Sequence, residues 1–265
     1  GDLFLQDALL DGVEKAIDFI LKKTKKTDAV AVIGAPLRKC GKLYNCAVVI
    51  RGGEILGVVA KQNIPNYGEF YEARYFVSGK DIDISDIEIA GRTSIIGKMV
   101  FVNSNKAQYS FGVEICEDMW VAESPSIELV EKGANIIVNI SASDEVVGKA
   151  PYRRTLISAQ SGKLNCGYVY ASAGEGESTT DAVFAGHNII AESKLFENGF
   201  VCSDIDVDKL AFEKRRVNTL KGVDGEFIVK FDQALSENKL TRKFSGAPFV
   251  PDDTEKRKDR CELIL

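Results

Sequence analysis

With 265 residues, 45% of them hydrophobic and 28% charged, the sequence has the composition of a globular, water-soluble chain large enough for one substantial α/β core. A net charge of −5 argues against a general attraction to nucleic acid or to anionic membranes. The longest apolar runs, such as Ile136–Ile140, are strand-sized and far short of a membrane span.

The opening Gly1-Asp2-Leu3-Phe4 does not read as a secretory signal, and the missing methionine suggests a start inside a longer protein. Six cysteines (40, 46, 116, 166, 202 and 261) show no CxxC pair and no spacing of a metal cage, so no metal site is expected. Five of them read as small buried hydrophobes, which fits the cytoplasm. The single histidine, His187, lies in an Ala-Gly-His-Asn turn and reads as structural. A hydrolase built on this chain would therefore use a carboxylate as its base.

In chain order, residues 3–22 place Leu5, Leu9, Val13, Ile17 and Ile20 on one helical face, with lysines gathered at the C-terminal end. A strand is expected at Ala29–Ala35. A hairpin of Tyr44–Ile50 and Ile55–Lys61 follows, turning at Gly52-Gly53. Residues 62–80 read as an irregular, aromatic loop. Strands are predicted at Met99–Asn103, Phe111–Cys116, Asn135–Ile140 and Tyr168–Ala171, with helices near Ser126–Lys132 and Pro151–Leu164. A second hairpin-like pair is expected from Ala182–Glu192 and Gly199–Asp206, joined by Ser193–Asn198. A helix at Val207–Val217 comes next, then a polar stretch to about residue 246, then a helix N-terminus near Pro251–Glu255. Hairpins mixed with strand–helix–strand units indicate an α/β sandwich rather than a doubly wound sheet.

Chemistry-bearing residues concentrate in a few segments. Phe111–Ile115 is an apolar strand that ends in Cys116 followed by Glu117 and Asp118. It reads either as a nucleophile presented at an open turn or as a buried cysteine before a solvated acidic turn. Lys61 closes a Val- and Ile-rich strand and reads either as a functional cation or as a charged strand end at the surface. The loop from Asn63 to Phe76 mixes five aromatics with two glutamates and an arginine. Such a loop lines a pocket or plugs the core. Asn139-Ile140-Ser141-Ala142-Ser143 runs a strand end into small hydroxyl residues, with Gly148-Lys149 just beyond. Gly174-Glu175-Gly176-Glu177 lacks the phosphate-loop pattern and reads as a structured turn.

Taken together, these segments resemble the nitrilase (carbon–nitrogen hydrolase) superfamily. Within it they look most like the branch formed by the amidase domains of glutamine-dependent NAD synthetases. The lysine segment and Gly112-Val113-Glu114-Ile115-Cys116-Glu117-Asp118 carry the superfamily likeness. Asn66-Tyr67-Gly68-Glu69-Phe70-Tyr71-Glu72, Gly174–Asp181 and Pro248-Phe249-Val250-Pro251-Asp252-Asp253 carry the likeness to that branch. The resemblance implies a four-layer αββα sandwich with Cys116 as nucleophile, Lys61 as the oxyanion-holding cation and Glu72 as a bracing glutamate. It implies that Tyr67, Phe70, Glu117, Ser143 and Lys149 line a pocket for L-glutamine, with Lys149 on the substrate α-carboxylate.

By the same resemblance the general-base glutamate precedes Gly1, so the 265 residues alone are expected to hydrolyse glutamine negligibly. Residues 1–246 would form the amidase domain, and 247–265 the start of a connection to a C-terminal synthetase domain. No cofactor is expected in the amidase domain; ATP and Mg²⁺ would serve only the synthetase domain, which amidates deamido-NAD. A homo-oligomer is expected. The alternatives are a free-standing amidase for small amides or carbamoyl compounds, and a catalytically dead scaffold.

Overall fold

The apolar stripe near the N-terminus folds as a helix, but it begins at Asp7 rather than residue 3. In the computed structural model, which describes residues 3–143, 146–173, 182–185, 188–193, 199–222, 227–235, 250 and 253–264, α1 spans Asp7–Thr24. It buries Leu10, Ile17 and Leu21, while Leu5 lies ahead of the helix and is exposed. Next come β1 (Val30–Lys39), β2 (Lys42–Arg51) and β3 (Glu54–Ala60), paired antiparallel in sequence. The β2–β3 turn is made by Gly52 and Gly53, both at positive φ (59° and 81°), as a primed hairpin turn requires. Strand β1 runs past Pro36, where the sequence suggested a stop. It is the edge of its sheet, a position that tolerates proline's lack of an N–H donor.

The hairpin of β4 (Ser85–Ile89) and β5 (Arg92–Ile96) was not anticipated. Its turn uses Ala90 and Gly91 at φ 52° and 71°, and alanine at a positive-φ position gives no turn signal in the sequence. These five strands form one sheet in the order β1-β2-β3-β5-β4.

The second sheet is built from β6 (Val100–Asn103), β7 (Ser110–Ile115), β8 (Ile136–Ser141), β9 (Gly167–Ser172), β10 (Ala182–Ala185), β11 (Asn188–Glu192) and β12 (Ile228–Phe231), in the order β11-β10-β9-β8-β7-β6-β12. Strands β7, β8 and β9 run parallel, linked by α2 (Pro125–Glu131) and α3 (Lys149–Leu164). The expected pairing of residues 182–192 with 199–206 is corrected. Residues 182–185 and 188–192 pair with each other as β10 and β11, and 199–206 form no strand before α4 (Val207–Arg216).

Three apolar clusters define the layers. Ile17 and Leu21 of α1 pack with Val48, Ile50 and Val58 on the outer face of the first sheet. Ala47, Val49 and Val59 meet Phe101, Phe111, Val113 and Ile115 between the sheets. Leu129 and Ile157 cover Ile137, Tyr168 and Tyr170 on the outer face of the second sheet. This is the αββα order that the resemblance implied. Gly112 lets α2 approach β7 closely, because a Cβ there would meet Leu129 at 2.9 Å.

The chain divides into two compact units, Gly1–Ala234 and Leu235–Leu265. In the second, α5 (Thr254–Ile264) is capped by Asp253, whose carboxylate accepts from Lys256 N–H at 2.9 Å. No helix among the described residues is long and apolar enough to cross a membrane. His187, the 174–181 turn, 194–198 of the expected connection, Pro248-Phe249, Pro251-Asp252 and the expected boundary at 246/247 lie outside the described residues.

Candidate active site

Parallel strands β7 and β8 end side by side, with Ile115 opposite Ile140, so Cys116 and Ser141 emerge together at their carboxyl ends. Cys116 adopts φ 48°, a left-handed conformation that costs a non-glycine residue about 1–2 kcal/mol and often marks a functional turn. Its N–H donates to Asn139 Oδ1 at 3.3 Å, and Ser141 Oγ donates to the same oxygen at 2.7 Å. A tight 3₁₀ turn, Cys116–Met119, follows.

Lys61 leaves β3 into the interior and is only 1% exposed, which removes the surface-lysine reading. Its backbone is fixed on both sides: its N–H donates to Asn45 O, and its carbonyl accepts from Gly79 N–H, each at 2.8 Å. The ammonium contacts both carboxylate oxygens of Glu72, at 2.7 and 2.8 Å, and Asn45 Nδ2 donates to Glu72 at 3.5 Å. The aromatic loop therefore folds back over the strand end it leaves and brings Glu72 to the lysine.

Lys61, Glu72 and Cys116 line one cavity of about 220 Å³, together with Gly34, Asn45, Ile115, Ile140, Ser141 and Ala142. Gly34 comes from β1 in the opposite sheet, so the cavity opens between the two layers. Burial pushes the Cys116 thiol above its ordinary range, although the Lys61 ammonium and hydrogen bonds with Ser141 and Ala142 pull it back down. Nearness to a lysine thus does not by itself bring the thiol below its ordinary range.

The residues expected to bind substrate are not in the lining of that cavity, although Glu117 and Ser143 are chain neighbours of residues that are. Glu117 follows Cys116 and accepts from Tyr67 Oη at 2.7 Å. Tyr67 meets Phe70 edge-on, with centroids 5.8 Å apart. Lys149, the first residue of α3, holds its ammonium 5.7 Å from the Phe70 ring and 5.5 Å from the Trp120 ring. Ser143 is buried just beyond Ala142.

Asn45, Asn139 and Asp118 stand in notable segments of the sequence but have no role legible there, because their roles arise from tertiary hydrogen bonds. Asp118 is buried, and burial pushes its carboxyl up to about 6 against the N–H bonds it accepts. In the sequence it stood only as the second of two acids after Cys116, a position that reads equally as a solvated turn. The reading of five buried cysteines is also corrected. Cys46 and Cys166 are buried, whereas Cys40, Cys202 and Cys261 are exposed, Cys40 because it sits in the β1–β2 turn.

One inter-sheet cavity thus holds a cysteine, a buried lysine and a glutamate. The chain belongs to the carbon–nitrogen hydrolase family, whose model matches residues 4–208. It is 37% identical over 280 residues to the glutamine-dependent NAD(+) synthetase of Mycobacterium tuberculosis, covering 98% of this chain and 41% of that protein. Among solved structures it resembles the glutamine-dependent NAD(+) synthetase of Cytophaga hutchinsonii, with TM-score 0.60, 27% identity, and coverage of 73% of this chain and 32% of that one. A carbon-nitrogen hydrolase from Helicobacter pylori has TM-score 0.62 at 19% identity, covers 79% of this chain and 73% of its own, and speaks to the fold alone. The chain spans about two fifths of the length of the synthetases it matches in sequence.

Proposed function

We propose that this chain is a glutamine amidohydrolase domain that releases ammonia from L-glutamine through a thioester on Cys116. The observation that carries the reading is the shared cavity of Cys116, Lys61 and Glu72; Lys149, near the Phe70 and Trp120 rings, supports it. Coverage of nearly the whole chain by glutamine-dependent NAD(+) synthetases supports glutamine as the substrate.

In this reading a carboxylate base takes the Cys116 proton, and the thiolate attacks the γ-carbonyl carbon. The carbonyl π electrons move to oxygen, and Lys61 with the Glu117 N–H holds the resulting oxyanion; in known cases such a donor is worth ~3–4 kcal/mol. The protonated base then gives its proton to the departing nitrogen, ammonia leaves, and the γ-glutamyl thioester remains. Water, activated by the same base, hydrolyses the thioester and regenerates the thiol. The base is the glutamate that the family resemblance implies ahead of Gly1-Asp2-Leu3-Phe4. Glu72, with both oxygens on Lys61, keeps to bracing. Lys149 takes the substrate α-carboxylate as a point charge.

Ammonia passes to a synthetase domain that uses ATP and Mg²⁺ to amidate deamido-NAD, in a homo-oligomeric cytoplasmic enzyme. Six free cysteines suit that reducing compartment. The test is ammonia release from glutamine, acetamide-type amides and carbamoyl compounds by the protein expressed from its full reading frame, with and without Cys116→Ala. Glutamine should be preferred by about 100-fold or more, and the variant should release nothing from it. A preference for small amides would make it a free-standing amidase, and no release from any amide would leave a scaffold.

A further inference from the structure

One buried acid beside the site belongs to no step of that reaction, yet it touches both of the segments that carry it. Asp118 is the third residue of the turn that begins at Cys116, and it is 1% exposed. Its Oδ2 accepts from Ile115 N–H at 3.0 Å, closing a ring around the left-handed backbone of Cys116. Its Oδ1 accepts from both the backbone N–H and the side-chain Nδ2 of Asn63, at 2.8 and 2.9 Å. Gln62 N–H also points at Oδ2, at 3.5 Å. Residues 62 and 63 are the two that follow Lys61 directly, so one carboxylate joins the cysteine turn of one sheet to the lysine exit of the other.

Mobility at this junction would matter more than elsewhere. Cys116 and Lys61 come from different sheets, and their spacing depends on contacts across the layer boundary rather than on a shared strand. A left-handed non-glycine residue persists only where surrounding bonds over-determine it. A misplacement of about 1 Å in a catalytic group is enough to cost on the order of 10²-fold in rate.

We propose that Asp118 is a positioning residue of the amidase reaction, whose carboxylate fixes the Cys116 turn and the Lys61 exit in one arrangement and so sets the spacing of nucleophile and cation. The inference rests on the reading of the site as a glutamine amidase. Asp118→Asn keeps the shape but turns an amide N–H₂ toward an N–H donor that the carboxylate had accepted, so at least one tie is lost. Asn63→Ala removes the Nδ2 tie from the other side and leaves the buried turn intact.

The experiment is steady-state glutamine hydrolysis by the protein from its full reading frame, with these two variants made alone and on a Lys61→Met background. Asp118→Asn should lower kcat by about 10-fold or more with KM for glutamine within about threefold, the signature of interactions used in the transition state. Asn63→Ala should shift kcat in the same direction by less, and it carries the test if Asp118→Asn does not fold. On the Lys61→Met background both penalties should shrink markedly, because the spacing they protect no longer includes a cation. The proposal is overturned if the losses fall on KM, if kcat per folded molecule is unchanged, or if the penalties persist in full without Lys61. If the unmodified protein releases no ammonia from glutamine, the amidase reading itself fails, an outcome separate from these.

Discussion

Burial raises the Cys116 thiol and Lys61 pulls it back, and that balance sets how the proposed reaction responds to pH. Because burial raises the thiol while Lys61 lowers it, alkylation by iodoacetamide should accelerate with pH only above the range of a small free thiol. Replacing Lys61 with Met removes the lowering influence and should move that profile further up. It should also cut glutamine turnover by ~10²-fold or more, as expected on losing an oxyanion donor. An alkylation profile unchanged in the variant would mean that the lysine does not act on the sulfur. Asp118 supplies a second pH signature, in stability. Its carboxyl is raised from 3.8 to about 6, so the folded state binds this proton more tightly than the unfolded chain does. Its contribution is therefore greatest at acid pH and is lost as pH rises between those two values, by a few kcal/mol at most. Asp118→Asn should flatten the pH dependence of unfolding free energy across that window; an unchanged slope would assign the dependence elsewhere. The cysteine was legible in the sequence because a strand that ends in a nucleophile before an acidic turn is a local pattern. The lysine was ambiguous because its burial is made by a loop folding back from Glu72 and Gly79, and no local pattern separates that from a solvated strand end.

At the level of elements, β7, the strand that leads to Cys116, is seated by a helix that depends on one missing side chain. Gly112→Ala would put a Cβ at 2.9 Å from Leu129 and force α2 away from β7. Overpacking of this kind costs about 1–3 kcal/mol, so chemical denaturation should show a loss in that range. A neutral substitution would mean that α2 does not sit on β7 as described. The parallel strands β7, β8 and β9 were readable because their apolar runs are bounded by polar turns. The β4–β5 hairpin was not, since Ala90 hides a primed turn, and β12 is four residues long and pairs parallel with β6. Element ends were read least well where chain context decides them: Pro36 is tolerated because β1 is an edge, and α3 begins two residues before Pro151, at Lys149.

Over the whole molecule, the arrangement of layers is what turns separate sequence signals into one site. Cys116 and Ser141 come from the second sheet, Lys61 and Gly34 from the first, and Glu72 from the loop between them; the cavity exists only once the inner faces close. The four-layer architecture came from family resemblance rather than from periodicity, which by itself indicated only a sandwich. Lys149→Ala tests the pocket at this scale. It should raise KM for glutamine strongly, consistent with ~1.5–3 kcal/mol for a charge-assisted bond, and affect amides lacking the α-carboxylate far less. Equal losses on both would put Lys149 outside the carboxylate site. The central claim, that glutamine is opened by Cys116, is tested most directly by acid-quenching the protein during turnover of glutamine and mapping the covalent adduct by peptide mass spectrometry. The account predicts a γ-glutamyl group on the peptide carrying Cys116 and on none of the other five cysteine sites. Turnover with no adduct on Cys116, together with undiminished ammonia release by Cys116→Ala, would contradict it.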